Sequence, residues 1–293
     1  MRGLAFQYNE RLVVTAKRAF GISSHLFHNE RLTREHLLAV GAHGFDRLEL
    51  FATRTHFDYH NRSVVADLQQ WLTEAGLQLL SVHAPVGESF ERGRWGPPYN
   101  LASPDEARRM QAVKECERAI RIARRIPFRF LVTHIGVTGD QADQNSRSAA
   151  RKSVEALHRL AEPLDVRVAI EVIPNELSRS ASLVHFVEDV IEAPGLGICL
   201  DFGHAHMGGD LIEAIETVSE HVIATHVHDN RGRTDDHLAP FEGTIDWAGA
   251  LTAVQKVGYD DTLLFELAAH GSVPETLRKA VHARERIERM LSS

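Results

Sequence analysis

Short apolar runs alternate along the chain with longer stretches in which apolar residues recur every three or four positions. The short runs are KRAFGISSH, FDRLELF, LQLLSVHAP, FRFLVTHIG, VRVAIEVIPN, LGICLDFGH, VIATHVHDN and TLLFELAAH, eight in all. Between them lie TREHLLAVGAHG, VVADLQQWLTEAG, PDEARRMQAVKECERAIRIARRI and RSAARKSVEALHRLAE, which carry helical spacing. The glycines that close AHG and EAG suit helix C-caps, and Ser103-Pro104-Asp105-Glu106 suits a helix start with proline in its first turn. Strands alternating with helices predict a parallel sheet built from βαβ crossovers. No Pro/Ser-rich linker divides the chain, so a single domain is expected over residues 1–293, with its barrel over about 18–290.

Strand parity makes the prediction sharper. In GICLD, Gly197, Cys199 and Asp201 share one face against Ile198 and Leu200. In VIATHVH, Ala224, His226 and His228 oppose Ile223, Thr225 and Val227. In TLLFEL, Thr262, Leu264 and Glu266 oppose Leu263, Phe265 and Leu267. One face suits a layer of covering helices; the other is smaller and ends in an ionisable group. Eight such strands predict a single (β/α)8 TIM barrel with its active site at the C-terminal ends of the strands. An open doubly wound sheet is the alternative, but the Gly-rich phosphate fingerprint is missing after the first strand.

Composition changes this picture little. The chain has 293 residues, 43% of them hydrophobic and 25% charged, as a globular protein should. The formal charge of -7 disfavours nucleic acid as a general partner. No long uncharged apolar run exists, so no membrane span is expected. The start, MRGLAFQYNERLVV, lacks a signal-peptide core, and the two cysteines, Cys116 and Cys199, read as buried thiols. The cytoplasm is the expected location; homo-oligomerisation is left open. The 18 histidines are the unusual feature.

Several of these histidines close apolar runs. Glu49, His83, His134, Glu171, Asp201, His226 and Glu266 are expected at successive strand ends, where a barrel concentrates its chemistry. Crowded carboxylates repel one another, and a bound cation is the natural compensation. Imidazole mixed with carboxylate suits Zn2+, Mn2+, Co2+ or Fe2+ better than Ca2+.

The segments SVHAP, VTHIG, IEVIPN, LDFGHAH, HVHDN, DDH, FEGTIDW and FEL together resemble the xylose isomerase-like TIM-barrel superfamily, over residues from about 20 to 270. That group includes sugar and sugar-phosphate isomerases and epimerases, inosose dehydratases, and apurinic endonucleases of the endonuclease IV type. The resemblance implies that Glu171, Asp201, His226 and Glu266 hold one divalent cation (Mn2+, Zn2+, Co2+ or Mg2+) and that Glu171 and Glu266 are the catalytic carboxylates. It further implies that His83, His134, His204, Asp235 and His237 either complete a trinuclear zinc cluster of the endonuclease type or bind substrate.

Two chemistries then stand open. In an isomerase or epimerase, a cation stabilises the enediolate formed when the carbon between two oxygens loses a proton to a carboxylate. In the endonuclease, several cations activate hydroxide against a phosphodiester. A dehydratase and a non-catalytic metal-binding barrel are further alternatives. The favoured expectation is a sugar-like small-molecule substrate, with Glu49, Trp95, His228 and Arg231 expected to contact it. In the loop GESFERGRWGPPYNL, Arg92 and Arg94 are candidates for phosphate contact, and Trp95 and Tyr99 for a lid or a stacking surface.

Overall fold

The computed structural model describes residues 18–191 and 193–292; the N-terminal run read above for a signal segment lies outside them. Eight strands form the barrel: β1 (Phe20–Ser23), β2 (Arg47–Phe51), β3 (Gln78–His83), β4 (Phe130–Thr133), β5 (Arg167–Glu171), β6 (Gly197–Asp201), β7 (Val222–Val227) and β8 (Leu263–Phe265). Each pairs in parallel with its sequence neighbours, and β8 closes onto β1. The open-sheet alternative is therefore excluded.

The helices are α1 (Arg34–Ala42), α2 (Arg62–Ala75), α3 (Glu106–Ile120), α4 (Gln144–Ala161), α5 (Ser180–His185), α6 (Phe202–Gly208), α7 (Leu211–Thr217), α8 (Trp247–Lys256) and α9 (Val273–Leu291). Their local signals are physical ones. In α2, Val65, Leu68 and Leu72 form the buried stripe, Asn61 caps the start, and Gly76 leaves the helix at φ 67°, a left-handed turn without a Cβ penalty. The start of α3 lies slightly later than the sequence suggests. Asp105 is the cap, accepting from the Arg108 amide at 3.1 Å, because a proline at 104 precedes rather than opens the helix.

Inside the barrel, Leu80, Phe130, Val132, Ala169, Cys199, Ala224 and Leu264 pack together. Outside, Ile198, Leu200, Val227, Leu263 and Phe265 join the larger core under the helices. Strand parity thus places the two faces as expected, with one departure. The register shifts between Ile198 and Cys199, and Ile223 packs against the interior cluster instead of the helix layer. Gly197 makes room for it: a Cβ there would meet Ile223 side-chain carbons at 2.7 Å. The apolar plug fills the barrel below the titratable residues, so the polar side chains are stacked at one end.

The loop after β3 is more ordered than a solvated loop. It forms a small hairpin, Phe90–Glu91 against Arg94–Trp95, pinned by the Thr55 hydroxyl to the Phe90 backbone. Both cysteines are free and buried, and no helix among the described residues is long and apolar enough to cross a membrane.

Candidate metal centre

Four adjacent strands deliver four ligand-type side chains to one point. Glu171 ends β5, Asp201 ends β6, His226 lies near the end of β7, and Glu266 follows β8. Each offers a ligand atom within 4.8 Å of the other three, and all four residues are buried. His226 Nδ1 lies 3.3 Å from Glu171 Oε1, 3.8 Å from Asp201 Oδ2 and 3.6 Å from Glu266 Oε2.

Their hydrogen bonding sets a test of whether a cation suits them. Glu171 Oε1, Asp201 Oδ2, His226 Nδ1 and Glu266 Oε1 are all buried without a hydrogen bond, one atom from each of the four residues. Buried polar atoms rarely go unpaired. The remaining atoms are occupied in ways that aim these four inward. Glu171 Oε2 accepts from His83 Nε2 at 3.0 Å and from His134 Nε2 at 3.1 Å. Asp201 Oδ1 accepts the His204 amide at 2.6 Å, capping α6. The four-residue set fits a divalent cation in charge, donor type and unpaired atoms.

Glu49 was expected to meet substrate; the structure places it elsewhere. It is fully buried below the centre, where Oε2 accepts from the Ser81 hydroxyl at 2.8 Å and from His226 Nε2 at 3.1 Å. This contact assigns the Nε2 proton of His226 and, in the neutral ring, leaves Nδ1 as the lone-pair atom facing the centre. Burial opposes charge on both residues, but their proximity to opposite charges wins. His226 is raised well above the usual histidine range by its acidic surroundings, and Glu49 is lowered, chiefly by His226. Burial likewise opposes ionisation of Glu171, yet His226 and His134 hold it well below the usual carboxylate range.

His228 also departs from its expected place. It is fully buried, with Nε2 3.1 Å from Asp201 Oδ1 and its ring stacked on His237 at 4.1 Å. It therefore packs behind Asp201 rather than lining the cavity, its Nε2 making no hydrogen bond. Residue 203 has to be small for this: a Cβ on Gly203 would meet the His228 ring at 2.0 Å.

The stretch that carries Asp235 and His237 is tied down by Asp229. Its carboxylate accepts the backbone amides of Asn230, Phe241 and Ile245 and the Trp247 indole N–H, the last at 2.8 Å. Asp229 thereby fixes the ends of a loop whose middle reaches over the barrel. There Asp235 Oδ2 accepts from His204 Nε2 at 3.1 Å and His237 Nε2 at 3.0 Å. His237 stands at φ 45°, a left-handed conformation uncommon outside glycine, and its Nδ1 donates to the Glu266 carbonyl at 2.9 Å. Against the cost of burial, Asp235 pushes the His237 imidazole up to about 9. His83, His134, His204 and His237 are thus brought against the central four, and Asp235 reaches them through His204 and His237. Ligand-type atoms also converge in the sets His83–His134–Glu171, Asp201–His204–His228 and His228–Asp235–His237.

A cavity of about 450 Å³ opens onto this cluster. Glu171, His134, His204, Asp235, His237 and Glu266 form its polar floor; Phe51, Val86, Trp95, Val137, Ile173 and Pro174 form much of its wall. Trp95 is 44% exposed at the rim and lies parallel to His28. Arg231 is corrected: it does not line the cavity but stands exposed, 3.7 Å from Asp236. Arg92 and Arg94, at the exposed tip of the hairpin, do not line it either. One titratable lining residue was missed. His25 follows β1, and its Nδ1 donates to the Leu267 carbonyl at 3.1 Å. Burial, helped by His237 and His28, keeps its pKa well below the ordinary histidine value. The run KRAFGISSH closes on this imidazole as LQLLSVHAP closes on His83, so the same signal was present.

Comparison with known proteins agrees with this architecture. The chain is 27% identical over 286 residues to the uncharacterized protein MJ1311 of Methanocaldococcus jannaschii, covering 93% of this chain and 89% of that one. It is 24% identical over 247 residues to the L-ribulose-5-phosphate 3-epimerase UlaE of Salmonella paratyphi A, covering 80% and 85%. Among solved structures, a D-tagatose 3-epimerase-like protein superposes with a TM-score of 0.76 at 25% identity, covering 94% of this chain and 97% of that one. The family described as xylose isomerase-like TIM barrel matches residues 37–290, and with the closed eight-stranded barrel already in place, the chain belongs to that family.

Proposed function

We propose that the protein is a divalent-metal-dependent sugar isomerase or epimerase that moves a proton at the carbon beside a ketone. The observation that carries this reading is the set of four inward-facing atoms without hydrogen bonds on Glu171, Asp201, His226 and Glu266. Similarity to a sugar-phosphate epimerase and to a tagatose-epimerase-like structure supports the same class. A divalent cation held by these four residues would supply positive charge against the negative charge that develops on the substrate oxygens as the C–H bond breaks.

The two glutamates that face the cavity are not equivalent. Glu171 Oε2 is already engaged by two imidazole N–H groups, which fix its orientation and favour its ionised form. Glu266 has no such clamp: Oε1 makes no hydrogen bond, and Oε2 stands 3.6 Å from His226 Nδ1 and 3.7 Å from His237 Nδ1. Glu266 is therefore the base that removes the proton. Glu171, backed by His134 at the cavity, handles the proton on the opposite side. Asp235, His204 and His237 shape the floor and meet substrate hydroxyls, while Trp95 and Phe51 cover an apolar sugar face.

An apurinic endonuclease is the second reading, favoured by the further ligand sets that continue from the centre to Asp235 and His237. The reading is tested with Glu266→Gln. Turnover of ketose substrates should fall by about 10²–10⁴-fold while the metal is retained, since the amide oxygen still ligates but cannot take a proton. The unaltered protein should wash solvent deuterium into the substrate carbon. Normal turnover by the variant would remove Glu266 from this role.

A further inference from the structure

The cavity that reaches the four-residue centre has a definite charge character. Its titratable lining is Glu171, Asp235 and Glu266 together with four imidazoles, and among the described residues no lysine or arginine lines it. The imidazole protons are already directed at neighbouring acceptors. His204 and His237 both donate to Asp235 Oδ2, His134 donates to Glu171 Oε2, and His25 Nδ1 donates to the Leu267 carbonyl. A divalent cation would leave its own ligand unit, with three carboxylates and a neutral imidazole, one charge negative, while Asp235 is matched by the His204 and His237 rings that donate to it. A phosphate or carboxylate group in this space would find no lysine or arginine to pair with, and imidazole protons already committed to carboxylates of the protein.

The surroundings strengthen the point. Arg92, Arg94 and Arg231 are exposed and do not line the cavity. Arg179 lines an adjoining cavity of about 350 Å³ that shares Ile173, Pro174 and His204 with this one, and there it is accompanied by Asp210 and Glu213. What the main cavity offers is suited to a neutral polyol: aromatic faces on Phe51 and Trp95, carboxylate acceptors, and the remaining ring nitrogen of His25, an acceptor for a hydroxyl in the neutral tautomer fixed by Leu267.

We infer that the ligand of this cavity is an uncharged polyhydroxy ketone, a free ketose or closely related polyol ketone, and not a sugar phosphate or a nucleic-acid phosphodiester. The inference rests on the isomerase reading for its site, but its test is binding and not turnover. Metal-loaded protein is titrated calorimetrically with D-fructose and D-ribulose and, in parallel, with fructose 6-phosphate and ribulose 5-phosphate. The free ketoses should bind at least about tenfold more tightly than their esters.

A gain of charge provides the second arm. Thr138 is exposed and lines the mouth, so Thr138→Lys should fold normally and strengthen ester binding by about three- to tenfold at low salt, leaving the free ketose unchanged. Tighter binding of the esters by the unaltered protein would overturn the inference, above all if Arg179→Ala abolished it. So would binding of neither class, or an ester affinity indifferent to Thr138→Lys. Free ketoses that bind selectively but exchange no deuterium would sustain the inference while defeating the proposed reaction. Turnover restricted to the esters would do the reverse.

Discussion

Gly203→Ala is a single-methyl change that should disturb the metal centre from behind. The added Cβ would lie 2.0 Å from His228 Cε1 and 2.4 Å from Nδ1, whereas carbon contacts favour about 3.5–4.0 Å, so the ring has to retreat by about 1.5 Å. It has little room: His228 is fully buried, stacked on His237 at 4.1 Å, and 3.1 Å from Asp201 Oδ1. Overpacking of this kind costs about 1–3 kcal/mol, partly offset by the roughly 0.5–1 kcal/mol that alanine gains over glycine in a helix. The net loss of about 1–2 kcal/mol corresponds to a Tm lower by roughly 2–8 °C in a chain of this size. Because the displaced ring packs against Asp201, cation affinity should also fall by about 10–100-fold. Differential scanning calorimetry and competitive metal titration read the two effects. Adding His228→Ala should relieve the clash and recover part of the Tm without restoring metal affinity. A Gly203→Ala variant with unchanged Tm and unchanged metal affinity would refute the packing argument.

Metal binding should release protons. Burial opposes charge on His226, but Cys199, Glu266, Glu49 and Glu171 around it push it well above the ordinary histidine value, so ligation through Nδ1 should displace a proton. Calorimetry at pH 7 in buffers of different ionisation enthalpy should find about one proton released per cation, and no release would contradict the raised His226 pKa. Without metal, the imidazolium of His237 beside Asp235 has a folded-state pKa raised to about 9, above its unfolded value of about 6.5. Its stabilisation is fully present below the lower value and is lost as pH rises through the upper one, so the metal-free Tm should decline over that window. The Asp235→Ala/His237→Ala double variant should keep the central cation and lose activity mainly through a higher KM; loss of a bound metal and of abasic-DNA incision would support the endonuclease reading.

Most of the barrel was legible because its strands alternate in period two, and that alternation separates Cys199, Ala224 and Leu264 inside from Ile198, Val227 and Phe265 outside. Depth along the barrel axis was not legible. Parity gives the side on which Glu49 and His228 lie, but Glu49 sits below His226, at a register shift after Leu48, and His228 sits behind Asp201. Both were therefore read as substrate contacts when they orient candidate ligands. The hairpin was hidden for a different reason. Its strands are two residues long, and its turn uses Arg92 at φ 53° and Gly93 at φ 74°, where Asn-Gly would have been the plain signal. Asp229 likewise gave no sign of its four hydrogen bonds, since its partners are backbone amides and an indole brought back by tertiary folding.

The most direct measurement is the number of metal ions per chain, by elemental analysis of protein prepared without chelator, beside the Asp201→Ala variant. Glu171, Asp201, His226 and Glu266 converge with one inward atom each free of hydrogen bonds, so about one divalent cation per chain is expected in the intact protein and almost none in the variant. About three ions per chain would contradict the single-cation centre in favour of a multinuclear phosphodiesterase. An intact protein that binds no divalent cation would contradict the centre itself.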